Sequence, residues 1–245
     1  MRPLWIAVGL LTRIPAPWHG APATAREMGM SVLCYPLVGL LLGGILAGVA
    51  WGLNAVAASM VGAGLVLIVW VWLTGGLHLD GLADAADGWI GGLGDRERGL
   101  AIMRDPHSGP AAVVAVTLVL LLKFAALQVL LERREVAVLF LPLLLARVGL
   151  VGMFLRMPYL RASGMGALAA GAVPRVAGAG VVLGCASGVV AVWGMTGVMA
   201  LLAGGVAWWG VQAGLMRRFG GFTGDAAGAM CEILEAVVVT SLTLA

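Results

Sequence analysis

The chain has 245 residues, of which 61% are hydrophobic and 11% are charged, and its mean hydropathy is +1.03. Uncharged apolar runs longer than about 18 residues are typical of membrane helices, so this composition excludes a soluble globular domain. The formal net charge is only +3. We therefore expect the lipid bilayer, and no nucleic acid, as the surrounding partner.

The apolar pattern predicts an all-α, polytopic integral membrane helix bundle that forms a single domain over residues 1–245. A short amino-terminal helix, either interfacial or crossing half of the membrane, is expected over residues 4–11. The run from 28 to 77 is too long for one span, and Gly52-Leu53-Asn54 favours a turn near its middle. About seven spans are predicted, with six to eight compatible with the pattern: 30–51, 57–77, 109–131, 136–155, 176–194, 197–216 and 226–245.

Arginine is distributed unevenly between the two sides of this predicted bundle. One side receives eleven arginines, whereas the other receives only Arg133 and Arg134. Because cytoplasmic loops carry the excess of Lys and Arg, the richer side and the amino terminus are predicted to be cytoplasmic. The eleven are Arg2, Arg13, Arg26, Arg96, Arg98, Arg104, Arg156, Arg161, Arg175, Arg217 and Arg218.

All six aspartates fall on the same predicted cytoplasmic side, and three of them are closely spaced. Asp80, Asp84 and Asp87 lie within roughly 60° of one another on a helix, at about 100° per residue. Three like charges on one face repel unless a cation lies between them, and an oxygen-only ligand set suits Mg²⁺. The spacing therefore predicts Asp80, Asp84 and Asp87 as metal ligands.

Four stretches of the chain together resemble one known family. They are residues 11–15 (Leu-Thr-Arg-Ile-Pro), 35–39 (Tyr-Pro-Leu-Val-Gly), 75–88 (beginning Gly-Gly-Leu-His-Leu-Asp-Gly) and 220–225 (Gly-Gly-Phe-Thr-Gly-Asp). In order and spacing they resemble cobalamin synthase, the adenosylcobinamide-GDP ribazoletransferase family. Residues 104–109 resemble the family's short basic-Asp motif, although His107 stands where an arginine is expected, which leaves the role of position 107 open.

The resemblance implies a Mg²⁺-dependent phosphotransferase of the bacterial inner membrane. Such an enzyme joins adenosylcobinamide-GDP to α-ribazole, or to its 5′-phosphate, and releases GMP. Two alternatives remain: an enzyme like the CDP-alcohol phosphotransferases, whose own motif spacing is not present, and an ion-coupled transporter. Assembly into a homo-oligomer is compatible with the sequence, which leaves the number of subunits open.

In that reaction a hydroxyl nucleophile benefits from a nearby base. Asp87, Asp105 and Asp225 are candidates, and His78 is a second kind of base or a substrate contact. Asp225 also stands where it would cap the last helix. Four further residues, by the resemblance, are expected to hold the diphosphate or the nucleotide: Arg13, Arg104, Thr223 and Gly224.

Four charged residues fall inside predicted spans. Cations in a bilayer face the bundle interior or water far more often than lipid, and Arg147 is close enough to the cytoplasmic end of its helix to face the catalytic cavity. Lys123 lies nearer the middle of its helix. Glu232 and Glu235 are expected to pair with such cations.

Overall fold

The computed structural model describes residues 1–17 and 22–244. Within them the chain is helical, with one isolated β-bridge between Tyr159 and Phe222, which confirms the all-α prediction. The helices are α1 (Arg2–Leu11), α2 (Ala25–Leu33), α3 (Tyr35–Leu53), α4 (Ser59–Thr74), α5 (Leu77–Gly91), α6 (Arg96–Ile102), α7 (Pro110–Glu132), α8 (Phe140–Arg156), α9 (Met165–Ala170), α10 (Arg175–Phe219) and α11 (Gly224–Ser241).

Several of these helices are long and apolar enough to cross a membrane. Five described segments qualify on their own: α3, α7, Val136–Arg156, α10 and Gly224–Leu244. A sixth is the pair α4 and α5, which qualify together but are bent by 85°. The chain is thus a multi-pass membrane protein, with five or six such segments where about seven were predicted.

The difference from seven lies in α10, which is 45 residues long and broken inside. Gly194 has non-helical angles (φ 53°, ψ −128°). A Cβ on Gly197 would lie 2.6 Å from the Val189 carbonyl oxygen, whereas eight residues of unbroken helix would separate them by about 12 Å. The chain therefore reverses at Gly194, and the two halves of α10 follow the predicted spans 176–194 and 197–216.

The first predicted span, 30–51, begins later than expected. Helix α2 ends at Leu33, and α3 starts at Tyr35 with Pro36 in its first turn. Proline has no N–H to donate to an earlier carbonyl, so it is tolerated at the start of a helix and not in its interior. The final span, 226–245, corresponds to α11, and residue 245 lies outside the described residues.

The bend between α4 and α5 directs the aspartate helix away from the preceding span. Gly75 (φ 63°) and Gly76 (φ 68°) both adopt left-handed angles, which glycine tolerates because it lacks a Cβ. Their N–H groups donate to the Trp72 and Val71 carbonyls and so end α4. The predicted span 57–77 consequently ends at Thr74, and the aspartates lie on a separate helix.

A cluster of buried charges ties α11 to its neighbours. Lys123 Nζ on α7 donates to Glu232 Oε2 (2.6 Å) and to Glu235 Oε2 (2.5 Å). Arg147 on α8 donates to Glu235 Oε1, and Trp70 Nε1 on α4 donates to Glu235 Oε2 at 3.0 Å. The pairing predicted for Glu232 and Glu235 is confirmed, whereas Arg147 points to Glu235 and not into the catalytic cavity.

We expect Glu235→Gln to lower the free energy of unfolding by on the order of 3–5 kcal/mol, because Lys123 and Arg147 would keep buried charges with one carboxylate fewer. Denaturant unfolding in detergent micelles, followed by circular dichroism, measures this change. Glu132→Gln is the matched control, since Glu132 is exposed and accepts hydrogen bonds from the neutral side chains of Ser59 and Gln128. Equal unfolding midpoints for the two variants would contradict the assignment.

Candidate active site at the acidic end of the bundle

The three aspartates of the 75–88 block lie on a single helix, as predicted. All belong to α5 (Leu77–Gly91), with Asp80 exposed and Asp84 and Asp87 half-buried. The Asp84 carboxylate is repelled by Asp80, Asp225 and Asp87, and Arg161 attracts it. These groups are therefore close enough to share one electrostatic environment.

Asp87 is already engaged with the protein backbone. Its Oδ2 accepts from Gly109 N at 2.5 Å, and its Oδ1 accepts from Ala112 N at 3.0 Å. The first N–H groups of a helix have no partner within that helix, so Asp87 satisfies the start of α7. These two bonds fix the carboxyl-terminal half of α5 against α7 and give Asp87 a structural role.

Asp225 reaches the α5 carboxylates because α5 and α11 cross at glycines. A Cβ on Gly81 would lie 2.8 Å from the Asp225 carbonyl oxygen, and one on Gly228 would lie 3.1 Å from the His78 carbonyl oxygen. Only residues without side chains permit so close an approach. The crossing therefore brings together two motifs that are about 140 residues apart in the sequence.

The cap of α11 is Thr223 and not Asp225. Thr223 Oγ1 accepts from Ala226 N at 3.2 Å, which leaves the Asp225 carboxylate free to turn towards the cavity. Asp225 Oδ2 accepts from Arg161 Nη2 at 2.5 Å and from Thr223 Oγ1 at 3.3 Å. Thr223 itself is buried, so its contact is structural, whereas Gly224 is exposed on the cavity lining.

A cavity of about 360 Å³ opens beside these acids. Asp80, Asp225 and Arg161 line it together with His78. Aromatic rings form part of its wall: the centroids of Phe222 and Tyr159 are 5.1 Å apart, those of Phe222 and Phe154 are 5.2 Å apart, and Tyr35 packs on Phe154. Charged groups and flat apolar rings therefore meet in one cavity.

His78 lines this cavity but is 96% shielded from solvent, with 4% relative exposure. Neither ring nitrogen has a hydrogen-bond partner among the described residues. A buried polar atom without a partner costs free energy and calls for a water or a ligand. The site can therefore offer His78 to a bound group without breaking an existing bond.

The other predicted residues surround this centre at different distances. Arg13 donates its backbone N–H to the Leu73 carbonyl (2.8 Å) and packs on Gly75 at the α4–α5 bend. Arg104 is exposed and its charge acts on Asp225. Neither arginine is among the described residues that line the cavity.

Asp105 lies apart from the shared cavity. It lines a separate groove with Asp87 and His107. Hydrogen bonds from the His107 backbone and then from its ring lower the pKa of the Asp105 carboxyl. His107 Nδ1 lies 2.7 Å from Asp105 Oδ1, so position 107 has a local partner within its own loop. Asp105 therefore shares a groove with Asp87 but is not among the described residues that line the cavity of Asp80 and Asp225.

Across residues 1–17 and 22–244, no three His, Cys, Asp or Glu side chains converge as a metal site. The three-aspartate ligand set is thus not preformed. The donors nevertheless fit Mg²⁺, which is commonly held by one or two carboxylates together with substrate phosphates and water. Among the described residues, Asp80 and Asp84 are the acids on this face without a hydrogen bond, and a dication would relieve their mutual repulsion.

Four cavity residues were missed by sequence reasoning: Phe154, Tyr159, Arg161 and Phe222. The sequence marks Arg161 only as one of the positive charges on the predicted cytoplasmic side. Its segment is held by backbone bonds, since Phe222 N donates to the Pro158 carbonyl and Leu160 N donates to the Phe222 carbonyl. No local sequence signal marks this pairing, because its partners come from two different loops.

Comparison with known proteins identifies the family. The family model described as cobalamin-5-phosphate synthase matches residues 3–243. The chain belongs to this family. It is 49% identical over 245 residues, the full length of both chains, to the adenosylcobinamide-GDP ribazoletransferase of Pseudomonas putida strain W619. It is 47% identical over 251 residues, again the full length of both chains, to that of Pseudomonas fluorescens strain Pf-5.

A third relative has the same description. The adenosylcobinamide-GDP ribazoletransferase of Pseudomonas entomophila strain L48 is 49% identical over 244 residues, covering 100% of this chain and 99% of the relative. No solved structure matches the chain. The predicted resemblance is confirmed, and it favours the cobalamin family over the CDP-alcohol phosphotransferase and transporter alternatives.

We expect Gly81→Ala to lower kcat by at least about tenfold, because the new methyl would push α5 away from α11 and separate Asp80 and Asp84 from Asp225. Gly188→Ala is the matched control, since a Cβ there meets nothing within 4 Å. Steady-state kinetics of both purified variants measure the effect. Unchanged kcat in Gly81→Ala would show that the close crossing does not position the site.

Proposed function

We propose that this protein is an adenosylcobinamide-GDP ribazoletransferase, which joins adenosylcobinamide-GDP to α-ribazole or its 5′-phosphate and releases GMP. Membership of the cobalamin-5-phosphate synthase family supports the reaction class. The structural observation that carries the proposal is one cavity bordered by Asp80, Asp225 and Arg161 and walled by aromatic rings. The charged residues suit phosphate chemistry, and the aromatic rings suit the benzimidazole ring of α-ribazole.

The reaction forms one phosphorus–oxygen bond and breaks another. The ribazole hydroxyl oxygen bonds to the phosphorus that carries the corrinoid alcohol, and the bond from that phosphorus to GMP breaks. The hydroxyl proton passes to a base, for which Asp225 is well placed because it lines the cavity. Asp87 is less suited, since both of its oxygens already accept backbone N–H groups.

Positive and negative side chains have complementary tasks at this site. Arg161, held against Asp225, and Arg104, whose charge reaches Asp225, are available to bind phosphate oxygens during the displacement. Asp80 and Asp84 would hold Mg²⁺ with the substrate diphosphate, and this ion, when bound, neutralises charge that develops on the phosphate oxygens. Burial raises the pKa of the Tyr159 hydroxyl, so it remains a hydrogen-bond donor at neutral pH.

The aromatic wall is proposed as the subsite for α-ribazole. At about 360 Å³ the cavity is at the small end of ligand pockets and is too small to enclose a corrinoid nucleotide. Phe154, Tyr159 and Phe222 offer ring faces and edges to a benzimidazole, and Asp80 and Asp225 line the same cavity, where they would meet its sugar. The larger substrate would then approach from outside and present its diphosphate to the rim.

The acidic end is proposed to face the cytoplasm of a bacterial inner membrane. Helix α7 begins at this end, beside Asp87, and its 23 residues cover about 35 Å before Arg133 and Arg134. The opposite end therefore carries the two arginines of the poorer side. Arg13, Arg104 and Arg161 remain at the acidic end, which agrees with the excess of positive charge in cytoplasmic loops.

The direct test supplies purified protein in bilayer nanodiscs with adenosylcobinamide-GDP, α-ribazole and Mg²⁺. We expect GMP and a corrinoid product in equal amounts. A parallel reaction with a CDP-linked lipid donor separates this activity from a CDP-alcohol phosphotransferase. Product only in the second reaction would overturn the proposal.

We expect Asp84→Asn to reduce Mg²⁺-dependent product formation by at least about 100-fold, since the variant loses a metal ligand at the centre of the acidic group. Asp95→Asn is the matched control. Asp95 accepts from Glu97 N and Arg98 N to cap α6, and asparagine caps equally well, so its activity should be unchanged. Full activity in Asp84→Asn would exclude Asp84 from the chemistry.

We expect Phe154→Leu to raise KM for α-ribazole about tenfold and to leave KM for adenosylcobinamide-GDP unchanged, because leucine preserves bulk but loses a stacking ring. Phe124→Leu on α7, outside the described cavity lining, serves as the control. Initial-rate measurements with each substrate varied in turn give both constants. A rise in both KM values would contradict the assignment of the aromatic wall to α-ribazole binding alone.

A further inference from the structure

An apolar groove of about 580 Å³ lies between α8 and the two halves of α10, outside the cavity described above. The missing side chains of four glycines help to shape it, two on α8 and two on the second half of α10. Their neighbours are mostly leucine, valine and alanine. The glycines are Gly149, Gly152, Gly204 and Gly205.

Trp208 forms one wall of this groove. Its indole Nε1 donates to the Gly149 carbonyl at 2.9 Å, so the polar atom is satisfied. A Cβ on Gly152 would lie 3.1 Å from the Trp208 ring, which fixes the ring against α8. The groove therefore presents an apolar surface with no free polar group on its tryptophan.

Two arginines stand together at one end of the groove. Arg156 is the last residue of α8 and Arg175 is the first residue of α10. A Cβ on Gly178, one turn after Arg175, would lie 2.9 Å from Leu155, so the two helix ends are side by side. Both arginines are exposed and line the groove, and no hydrogen bond or ion pair is found for either within the described residues.

We propose that this groove binds one anionic phospholipid, with an acyl chain along Trp208 and the headgroup phosphate between Arg156 and Arg175. Two guanidinium groups match the oxygens of a phosphodiester, and the apolar trough behind them matches a hydrocarbon chain. The apolar part of this groove offers few partners for water, and it lies between helices long and apolar enough to cross a membrane, where lipid is the available filling. Charge complementarity selects an anionic lipid over a zwitterionic one.

The lipid would reach the segment that carries the cavity residues. Arg156 is followed by Met157 and Pro158, and the Pro158 carbonyl accepts from Phe222 N at 3.0 Å. Tyr159 and Arg161 follow within the same segment. A headgroup held at Arg156 would therefore lie next to residues 157–161, the segment that carries Tyr159 and Arg161 of the catalytic cavity.

Native mass spectrometry of the detergent-purified protein tests this inference. Titration with phosphatidylglycerol should give one tightly retained lipid per chain, whereas phosphatidylcholine with the same acyl chains should bind at least about tenfold more weakly. Equal retention of the two lipids would overturn the headgroup assignment. Displacement of phosphatidylglycerol by millimolar inorganic phosphate would show that only an anion site exists.

Variants separate the headgroup from the acyl chain. Arg156→Gln combined with Arg175→Gln should weaken phosphatidylglycerol binding at least about tenfold, and Arg96→Gln combined with Arg98→Gln, which removes two charges from α6, should not. Gly205→Leu should fill the groove and block binding with both arginines intact, whereas Gly188→Leu, equally open but outside the groove, should not. Wild-type binding in the double arginine variant or in Gly205→Leu would refute the proposal.

Discussion

The carboxylate of Glu235 organises this bundle. An unpaired charge is costly to bury within a membrane. The helices packed around Glu235 must therefore supply cations or hydrogen-bond donors to its carboxylate. Trp70, Lys123 and Arg147 meet it from α4, α7 and α8, and Glu232 shares the lysine. One carboxylate thereby ties α11 to three other helices of the bundle.

The acidic site follows from that placement. Asp225 lies ten residues before Glu235 on the same helix, about 15 Å away along its axis. With α11 fixed, its first turn is held against α5, where Gly81 and Gly228 allow the backbones to touch. Both helices begin at this end of the bundle, so their N-terminal N–H groups favour anions at the place where diphosphate is proposed to bind.

The acids at this site divide between structure and chemistry. Both carboxylate oxygens of Asp87 accept hydrogen bonds from the start of α7. These bonds hold α5 at its bend relative to α4. Asp80 and Asp84 keep their oxygens available, and Asp225 is balanced by Arg161. The carboxylates of the site and the phosphates of the substrate are both negative and would repel each other. Such a site is therefore suited to a substrate whose phosphates arrive together with a dication.

Composition and apolar run length determined the all-α membrane class by themselves, because a bilayer admits few other solutions. Spacing alone placed Asp80, Asp84 and Asp87 on one helix face, and the pairing of Glu232 and Glu235 with buried cations followed from the cost of lone charges. Tertiary structure alone decided that Asp87 accepts hydrogen bonds from the start of α7, and that Arg161 and the aromatic rings join the site. Those contacts join segments far apart in the chain, where helix periodicity carries no information about which loop meets which.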